Sequence, residues 1–408
     1  MRPIRLGTAI LRAALVVSLS LLLVTTAATP AGARGDEPTE YVITELGSLG
    51  GTDAAGISIS NRGLIAGYSR LPGDAVVHAT VWRNGSAVDL GTLGGPGTNS
   101  AVLWPNYNNR GIVVGVAETD ELDPLGELWS CSAFFPTETG HVCRGFVWER
   151  GEMRALPTHG GTHGFAVTAN NRGQVVGWAE TAERDPTCAG PEGRDQVLGF
   201  VGALWDTRDG DRIHELPPLP GTNDTASTGN AINDRGQVAG ISGICDQAVG
   251  RFSARHMALW ENGVPTEIES FGAEAWNTPM AINSKGVVVG FANAAGTKGG
   301  DFNERPFQWT KKGGIQDLGT LDGHTRGQAL GVNNRGQVVG LSREADGGGV
   351  TAVIWQNGEV ADLNSLAPGY EGHLLFANDI NDAGVLTGEA ISAETGGGVA
   401  FTATPVKG

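Results

Sequence analysis

Short apolar runs alternate with turn residues along almost the whole chain after residue 40. Runs of about four to six residues, rich in Val, Ile, Leu and Trp and separated by Gly, Asn and Asp, predict β-strands joined by tight turns. One nine-residue phrase recurs seven times: ISNRGLIAG from Ile59, YNNRGIVVG from Tyr107, ANNRGQVVG from Ala169, INDRGQVAG from Ile232, INSKGVVVG from Ile282, VNNRGQVVG from Val332 and INDAGVLTG from Ile380. A tandem repeat of about fifty residues is typical of units that stack to bury their apolar faces.

Each unit contains four predicted strands, which we call a, b, c and d. In the unit that begins near Ala329, strands a and b flank the turn Asn-Asn-Arg-Gly, strand c ends at Trp355, and strand d follows a second turn. A polar first position and a glycine at the fourth are typical of tight hairpins. Six units place a tryptophan at the end of strand c, which predicts core between adjacent sheets: Trp82, Trp148, Trp205, Trp260, Trp309 and Trp355. A Leu-Gly-x-Leu-Gly-Gly-like loop, as at Leu46, leads into the next unit.

Four antiparallel strands per unit predict an all-β fold, a seven-bladed β-propeller. The two ends of the repeat array support a closed ring. One spare fourth strand begins at Tyr41, whereas the last unit stops after its third strand, VAFTATP from Val399. We therefore expect the N-terminal strand to complete the last blade, and an open solenoid is the alternative.

The first 33 residues have the features of a secretory signal peptide. Arg2, Arg5 and Arg12 come before or at the start of an apolar run from Ala13 to Val24, and small residues follow at 31–33. The run is shorter than the roughly twenty residues of a membrane-spanning helix. We expect a linker at 34–40, a single propeller at 41–406, a secreted extracellular protein, and no integral membrane segment after signal cleavage.

The chain is strongly acidic, with a formal net charge of −16, and its leader contains three arginines and no acid. This balance disfavours nucleic acid and anionic lipid, which bind clustered Lys and Arg. The sequence contains no paired C-x-x-C zinc motif, H-E-x-x-H, G-x-S-x-G or phosphate-binding loop before a helix. We predict no catalytic residues, no metal and no cofactor.

Two units carry long insertions between strands b and c. From the last glycine of the phrase to the strand-c tryptophan there are 15, 33, 28, 20, 19 and 15 residues in units one to six. In a propeller the b–c and d–a loops lie on one face, which is where a rigid ring displays its binding loops.

All four cysteines lie in b–c segments: Cys131 and Cys143 in unit two, Cys188 in unit three and Cys245 in unit four. An even count in an exported protein indicates disulfides. Of the three possible pairings we favour Cys131–Cys143, which is local, and Cys188–Cys245, which joins adjacent loops.

The unit-two insertion combines acids with aromatic residues, and a d–a loop on the same face adds a tryptophan. Such groups stack on a sugar or hold a cationic ligand, although the aromatics alternatively form a small core beneath the loop. The candidate ligand-binding residues are Glu121, Asp123, Trp129, Phe134, Phe135 and Trp276. His159 and His163 lie in another d–a loop, where solvated histidines are favoured over a metal site.

The third position of the repeated turn carries a cation in six of the seven units: Arg62, Arg110, Arg172, Arg235, Lys285 and Arg335. If strand a is innermost, these cations surround one mouth of the central channel. A ring of this kind is suited to an anion. The favoured interpretation is that each side chain points into water or pairs with an acid such as Asp234.

The repeated phrase INxxGxVVG, the strings HATVW at His78 and HMALW at His256, and the glycine-rich loop resemble the extracellular HAF-repeat proteins. The resemblance covers essentially the whole mature chain and implies a secreted bacterial repeat protein without an assigned activity. Kelch propellers rank second, because their Gly-Gly pair follows the second strand. Ser60 in the first turn, Ala383 in the last turn and the missing tryptophan of unit seven depart from the pattern.

Together these features favour a secreted binding or interaction module, with a glycan or a protein as its extracellular ligand and a ligand face at the b–c insertions of blades 2 and 3. The alternative is a secreted carbohydrate hydrolase or lyase, which needs two carboxylates converging across a pocket. A purely structural ring at the cell envelope is the third interpretation.

Overall fold

The computed structural model describes residues 40–105, 108–127, 131, 135–137, 139–188, 196–245, 253–298, 301–345 and 348–406. The predicted leader, the linker up to residue 39, and the candidate residues Trp129 and Phe134 lie outside the described residues.

Seven four-stranded antiparallel sheets form the seven blades of a β-propeller, as the repeats predict. Blade 1 contains β2 (Ala54–Ile59), β3 (Ile65–Arg70), β4 (Val77–Arg83) and β5 (Ser86–Asp89); blade 2 contains β6 (Ser100–Ala101), β7 (Val113–Leu122), β8 (His141–Glu149) and β9 (Glu152–Ala155); blade 3 contains β10 (Gly160–Ala169), β11 (Gln174–Arg184), β12 (Leu198–Asp206) and β13 (Arg212–Leu216); blade 4 contains β14 (Ala226–Ile232), β15 (Gln237–Gly243), β16 (His256–Glu261) and β17 (Val264–Ile268); blade 5 contains β18 (Thr278–Ile282), β19 (Val288–Asn293), β20 (Glu304–Thr310) and β21 (Gly314–Asp317); blade 6 contains β22 (His324–Val332), β23 (Val338–Glu344), β24 (Val350–Gln356) and β25 (Glu359–Asp362); blade 7 contains β26 (His373–Ile380), β27 (Leu386–Ile391), β28 (Gly398–Pro405) and β1 (Tyr41–Glu45).

The N-terminal strand closes the ring, which confirms the prediction from the two ends of the repeat array. Strand β1 pairs antiparallel with β28, and Val42 lies opposite Thr404 and Glu45 opposite Phe401. Strand β2 of blade 1 contacts β26 of blade 7, as β14 contacts β18 and β18 contacts β22. The first strand of each of these blades is therefore innermost. The b–c and d–a loops form what we call the upper face, and the a–b and c–d turns form the lower face.

The first asparagine of the repeated phrase closes its own turn and binds the next blade. In blade 6 the Asn333 Oδ1 accepts the amides of Arg335 and Gln337, each at 3.0 Å. Its Nδ2 donates to the carbonyl of Asn381 in blade 7, also at 3.0 Å. The same donation joins Asn170 to Asn233, Asn233 to Asn283, Asn283 to Asn333, and Asn381 to Ser60 across the closure. One residue type thus specifies both the local hairpin and the interface with the next blade.

The second position of the phrase forms a parallel set of bonds on the lower face. The amide of Asn334 donates to Asp382 Oδ1 at 2.8 Å, and the amide of Asp382 donates to Asn61 Oδ1 at 2.7 Å. Corresponding bonds run from Asn61 to Asn109, from Asn109 to Asn171 and from Asn171 to Asp234. Each bond needs a short side chain with an acceptor oxygen, which explains why Asn or Asp occupies this position in six blades, while blade 5 has Ser284 there.

The strand-c tryptophans lie buried between adjacent blades, as their position in the repeat predicts. Trp82 is 2% exposed, and its Nε1 donates to the carbonyl of Gly47 at 2.6 Å. The equivalent bond joins Trp205 to Pro157, Trp260 to Pro217 and Trp355 to Gly319. Each acceptor is the second residue of the glycine- or proline-rich loop from the preceding blade. The two motifs therefore form one interface between neighbours.

One buried carboxyl group, Asp379, and one half-buried carboxyl group, Glu389, lie where blade 7 meets blade 1. The carboxylate of Asp379 accepts the amide of Ile59 at 2.9 Å and the amide of Ile380 at 2.8 Å. Burial nevertheless raises the pKa of Asp379 to about 7. Burial, followed by the nearby charge of Asp53, also raises the pKa of Glu389 to about 7. The closure therefore contains two acids that resist ionisation.

We expect Asn333→Ala to destabilise the ring, because it leaves two buried amides and one carbonyl without their partner. The expected loss in the free energy of unfolding is about 1–3 kcal/mol, measured by urea denaturation. Arg335→Ala, at the exposed neighbouring position, is the control and should change stability by less than about 0.5 kcal/mol. Equal losses for the two variants would contradict the role given to the asparagine.

We expect stability to decrease as pH rises through the range in which Asp379 and Glu389 resist ionisation. A folded-state pKa raised to about 7 stabilises most below the unfolded value of about 4, and this contribution is lost between about pH 4 and 7. Asp379→Ala places at this position the residue found at the equivalent positions 231 and 281. It should reduce the decrease by up to about 1.4 kcal/mol per pH unit. Urea unfolding of both proteins across this range provides the measurement, and parallel pH profiles would refute the assignment.

Candidate functional site

Two disulfides hold the long loops of the upper face, and both pairings are those favoured by the sequence. Cys131–Cys143 lies within the blade 2 insertion, and Cys188–Cys245 connects the b–c segments of blades 3 and 4. All four cysteines are buried in one apolar cluster with Phe165, Trp178 and Phe200. The insertions are therefore joined to the core of the propeller.

The acids and aromatics predicted for the blade 2 insertion occupy different environments. Glu121 is exposed, whereas Phe135 is 8% exposed and packs in the cluster that contains both disulfides. The carboxylate of Asp123 accepts the amides of Leu125, at 3.1 Å, and Glu127. Asp123 Oδ2 also lies 3.6 Å from Nε2 of the buried His163. Phe135 and Asp123 thus contact the interior of the loop, and Glu121 faces solvent.

A buried glutamate binds the blade 2 insertion to blade 3, a contact that sequence reasoning missed. Glu127 Oε1 accepts the amides of Val197 at 2.8 Å and Leu198 at 2.6 Å. Glu180 accepts the amide of His163 at 2.7 Å and the Gln196 side chain at 2.7 Å. Burial, followed by the charge of Glu180, raises the pKa of Glu127. Nothing in the local sequence marks these acids, because their partners lie in another repeat.

Trp276 belongs to an aromatic group on the upper face. Its ring meets Phe302 edge-on at 4.7 Å and Phe291 edge-on at 5.3 Å between centroids. Phe302, on the b–c loop of blade 5, is 46% exposed. Trp276 also has a φ of 63°, a left-handed backbone that is costly for a large side chain. The tertiary structure therefore holds the exposed Phe302 ring against the half-buried Trp276 in a fixed orientation.

A second tryptophan that the sequence analysis did not select extends the same aromatic group. Trp104 follows the short strand β6 and packs, like Trp276, against the cluster of Met280 and Leu330, on the inner strands of blades 5 and 6, and Phe291, on the second strand of blade 5. Its ring also meets Phe165 of blade 3 edge-on at 5.6 Å. In the sequence, the only signal for Trp104 and Phe302 was that each is an aromatic residue in a segment that departs from the repeat.

Asp123 and Glu127 border a cavity that is too small for a substrate. Asp123, Glu127 and His163 place ligand atoms within 4.8 Å of one another, and the cavity beside the two acids measures about 20 Å³. Glycoside hydrolysis needs two carboxyl groups about 5–10 Å apart on either side of a sugar. A cavity of this size holds a single water-sized particle. His159 is not among the side chains grouped with His163.

The histidines of the two HAF-like strings contact carboxylates on the upper face. His78 Nδ1 lies 2.9 Å from Asp89, and His256 Nδ1 lies 2.7 Å from Asp224. The hydrogen bond to Asp224 raises the pKa of His256, and it lowers the pKa of Asp224 against the opposing effect of burial. These histidines therefore fix d–a loops to their neighbouring strands.

The six predicted cations on the lower face are all exposed. Within the part of the chain that the structure describes, none forms an ion pair with a carboxylate, and Asp234 instead accepts the amide of Asn171 at 2.8 Å. Arg62 and Arg110 join Arg83, Arg150 and the single acid Glu149 around an open groove of about 770 Å³. Their exposure agrees with side chains that point into water, and anion binding stays the untested alternative.

No protein-family model matches the chain, and neither does any curated protein sequence. Solved propellers resemble it distantly. The β-propeller domain of the Trilobed protease from Pyrococcus furiosus is 12% identical, with 90% of this chain and 94% of that chain covered and a TM-score of 0.47. A chain of the mitotic checkpoint complex is 14% identical, with coverages of 97% and 99% and a TM-score of 0.44. Trypanosoma rangeli sialidase is 9% identical, with coverages of 80% and 56% and a TM-score of 0.38.

The described residues include no helix with the length and apolar character needed to span a membrane.

We expect the two disulfides to differ in their effect on stability. The bridges span sequence separations of 57 and 12 residues. Loop-closure entropy predicts that losing Cys188–Cys245 costs about 1.4 kcal/mol more than losing Cys131–Cys143, each typically costing about 2–4 kcal/mol. Urea unfolding of the two paired Cys→Ala variants provides the comparison. A larger loss for the Cys131–Cys143 pair would contradict this order.

Proposed function

We propose that this protein is a secreted binding module whose ligand face is the upper face, at the b–c insertions of blades 2 and 3 and the neighbouring loops. The observation that carries the proposal is the pair of the half-buried Trp276 and the exposed Phe302, in which packing holds the two rings together and Trp276 has an unfavourable backbone conformation. Strained residues of this kind persist where the surrounding structure imposes them, and they cluster at functional sites. Disulfides on the same face already order the neighbouring loops, so that ligand binding does not incur the entropy loss of ordering them.

The side chains favour a glycan as the ligand. Aromatic rings offer an apolar surface on which the C–H face of a sugar stacks, and acids beside them accept hydroxyl hydrogen bonds. Glu121 is an exposed acid in the blade 2 insertion, and Leu122 beside it is 68% exposed. Nucleic acid is disfavoured by the acidic balance of the chain. A protein ligand is the other outcome of the experiment below.

Export and family membership belong to the same proposal. The leader-like N-terminus predicts export, and two disulfides fit the oxidising conditions outside the cytosol. We propose that the chain is a member of the HAF-repeat proteins, on the motifs described above.

A carbohydrate hydrolase or lyase on this scaffold is the alternative. Among the described residues, Asp123 and Glu127 of the insertion bind backbone amides and border a cavity of about 20 Å³, which is too small for a sugar. This geometry supports binding over turnover.

We expect Trp276→Ala and Phe302→Ala each to weaken glycan binding at least about tenfold, the effect of losing roughly 1.4 kcal/mol of ring contact. A glycan array on the oxidised mature protein identifies the ligand, and calorimetry with that glycan measures the change. Val264→Ala is the control, because Val264 is 65% exposed on the last strand of blade 4 and lies away from the upper face loops.

Unchanged affinity in both ring variants would refute this ligand face. Release of products from a polysaccharide panel, lost on acid-to-amide substitution in the insertion, would favour the enzyme instead. Capture of a protein with no glycan binding would overturn the assignment of ligand class.

A further inference from the structure

The lower face carries an open groove between blades 1 and 2 whose charged lining is mostly positive. Arg62, Arg83, Arg110 and Arg150 line it, against the single acid Glu149. The groove measures about 770 Å³, and ligand sites in proteins commonly measure roughly 300–1,000 Å³. Because the chain as a whole has a formal net charge of −16, this groove is opposite in sign to the protein that carries it.

The arginines of this groove have no acid that balances them in the described part of the chain. None of the four forms an ion pair with a described carboxylate. All four are exposed. Arg110 Nη1 donates to the carbonyl of Asn171 at 3.2 Å, and this bond to a neutral group leaves the positive charge uncompensated. The groove is therefore suited to an anion from outside the chain.

The repeat shows that one charge of this interface is reversed. In blade 4 the residue after the strand-c tryptophan is Glu261, and it forms an ion pair at 2.8 Å with Lys311, the second residue after the tryptophan of blade 5. Arg83 and Arg150 occupy the same two positions in blades 1 and 2. Two cations therefore stand where the interface of blades 4 and 5 has an acid and a cation.

A second departure from the repeat removes a neutral partner at the same place. In blade 4 the sixth residue of the nine-residue phrase, Gln237, donates its side-chain amide to Glu261 at 2.8 Å. Leu64 is the sixth residue of the phrase in blade 1, and its side chain has no polar atom. Arg83 therefore cannot form the side-chain bond that occupies the equivalent residue of blade 4.

The lining favours an anion that also has apolar surface. Guanidinium groups bind carboxylates and phosphate-like oxyanions through paired, charge-assisted hydrogen bonds. Val88, which is 40% exposed, and Trp148 add apolar surface to the same groove. An acidic polysaccharide offers C–H faces of its sugar rings between regularly spaced anionic groups, and one such chain engages several arginines at once.

We propose that this groove binds an anionic polysaccharide, whose carboxylate or sulfate groups pair with Arg62, Arg83, Arg110 and Arg150. The two outer arginines, Arg83 and Arg150, lie in c–d turns, and Arg62 and Arg110 lie in a–b turns nearer the central channel. The site lies on the lower face and is separate from the ligand face proposed above.

The test is titration calorimetry of the oxidised mature protein at low salt. The probes are polygalacturonate, which carries carboxylates, and dextran sulfate, which carries sulfate groups, so that the two anionic groups are distinguished. We expect at least one of them to bind, and we expect NaCl to weaken that binding because salt screens exposed charges. Uncharged dextran is the control polymer and should not reproduce the response.

The double variant Arg83→Gln/Arg150→Gln should weaken binding of the charged polymer at least about tenfold, because two charge-assisted contacts are lost. The matched control is Lys312→Gln/Arg335→Gln, which removes the same charge from exposed lower-face positions outside this groove. It should change the affinity less than about twofold. Both pairs alter exposed side chains, and thermal unfolding checks that both variants fold.

Absence of binding by the native protein to both charged polymers at low salt would overturn the proposal. Equal losses in the two double variants would overturn it too, because the general charge of the lower face and not this groove would then hold the polymer. Equally tight binding of polyglutamate would replace the glycan by an acidic protein segment. Trp276→Ala should keep full binding of the charged polymer, so that failure of the upper ligand face and failure of this groove are distinguishable.

Discussion

An asparagine amide donated to the carbonyl of the next blade is the bond on which the ring depends. In blade 6 the same side chain accepts two amides of its own turn and donates to Asn381 of blade 7. Local folding of a hairpin thus creates the donor that docks the neighbouring hairpin, and the bond crosses the closure from Asn381 to Ser60. Four strand-c tryptophans also bind the loop of the preceding blade, so that these blades contact the blade before them through a side-chain hydrogen bond as well. The repeat is therefore a unit of assembly as well as a unit of sequence.

Closure places unusual demands on the interface between blade 7 and blade 1. In blades 4 and 5 the equivalent of Asp379 is Ala231 and Ala281, whereas here a buried carboxylate accepts an amide of the adjoining blade. Burial opposes its ionisation, and Glu389 adds a second acid of the same kind. The blade assembled from both ends of the chain is thus the one whose stability responds to proton concentration, while the regular interfaces rely on neutral amides.

On the upper face, the long insertions are held in place by buried carboxylates and disulfides and not by the repeated motifs. The insertions of blades 2 and 3 contain no copy of the repeated phrase, and they are held by two disulfides and by carboxylates that accept backbone amides. Asp123, an acid that the sequence pattern predicts to face solvent, is one of these buried carboxylates. The aromatic pair of Trp276 and Phe302 lies at a different part of the same face, on loops without long insertions. The residues that hold the insertions rigid are therefore different from the aromatic residues that this face presents to a ligand.

The sequence by itself determined the seven blades, the strand order, the closure and the disulfide pairing, because all four follow from the spacing of short local patterns. The glycine of each repeated turn and the tryptophan of strand c need only their own unit to be interpreted. Tertiary structure alone decided the site: Glu127 meets Leu198 across 71 residues, and Phe302 meets Trp276 from a separate loop. Such contacts depend on how non-repeating loops cross the ring, and no periodic pattern encodes their path. For the same reason, only the tertiary structure showed that Asp123 and Phe135 are buried while Glu121 is exposed.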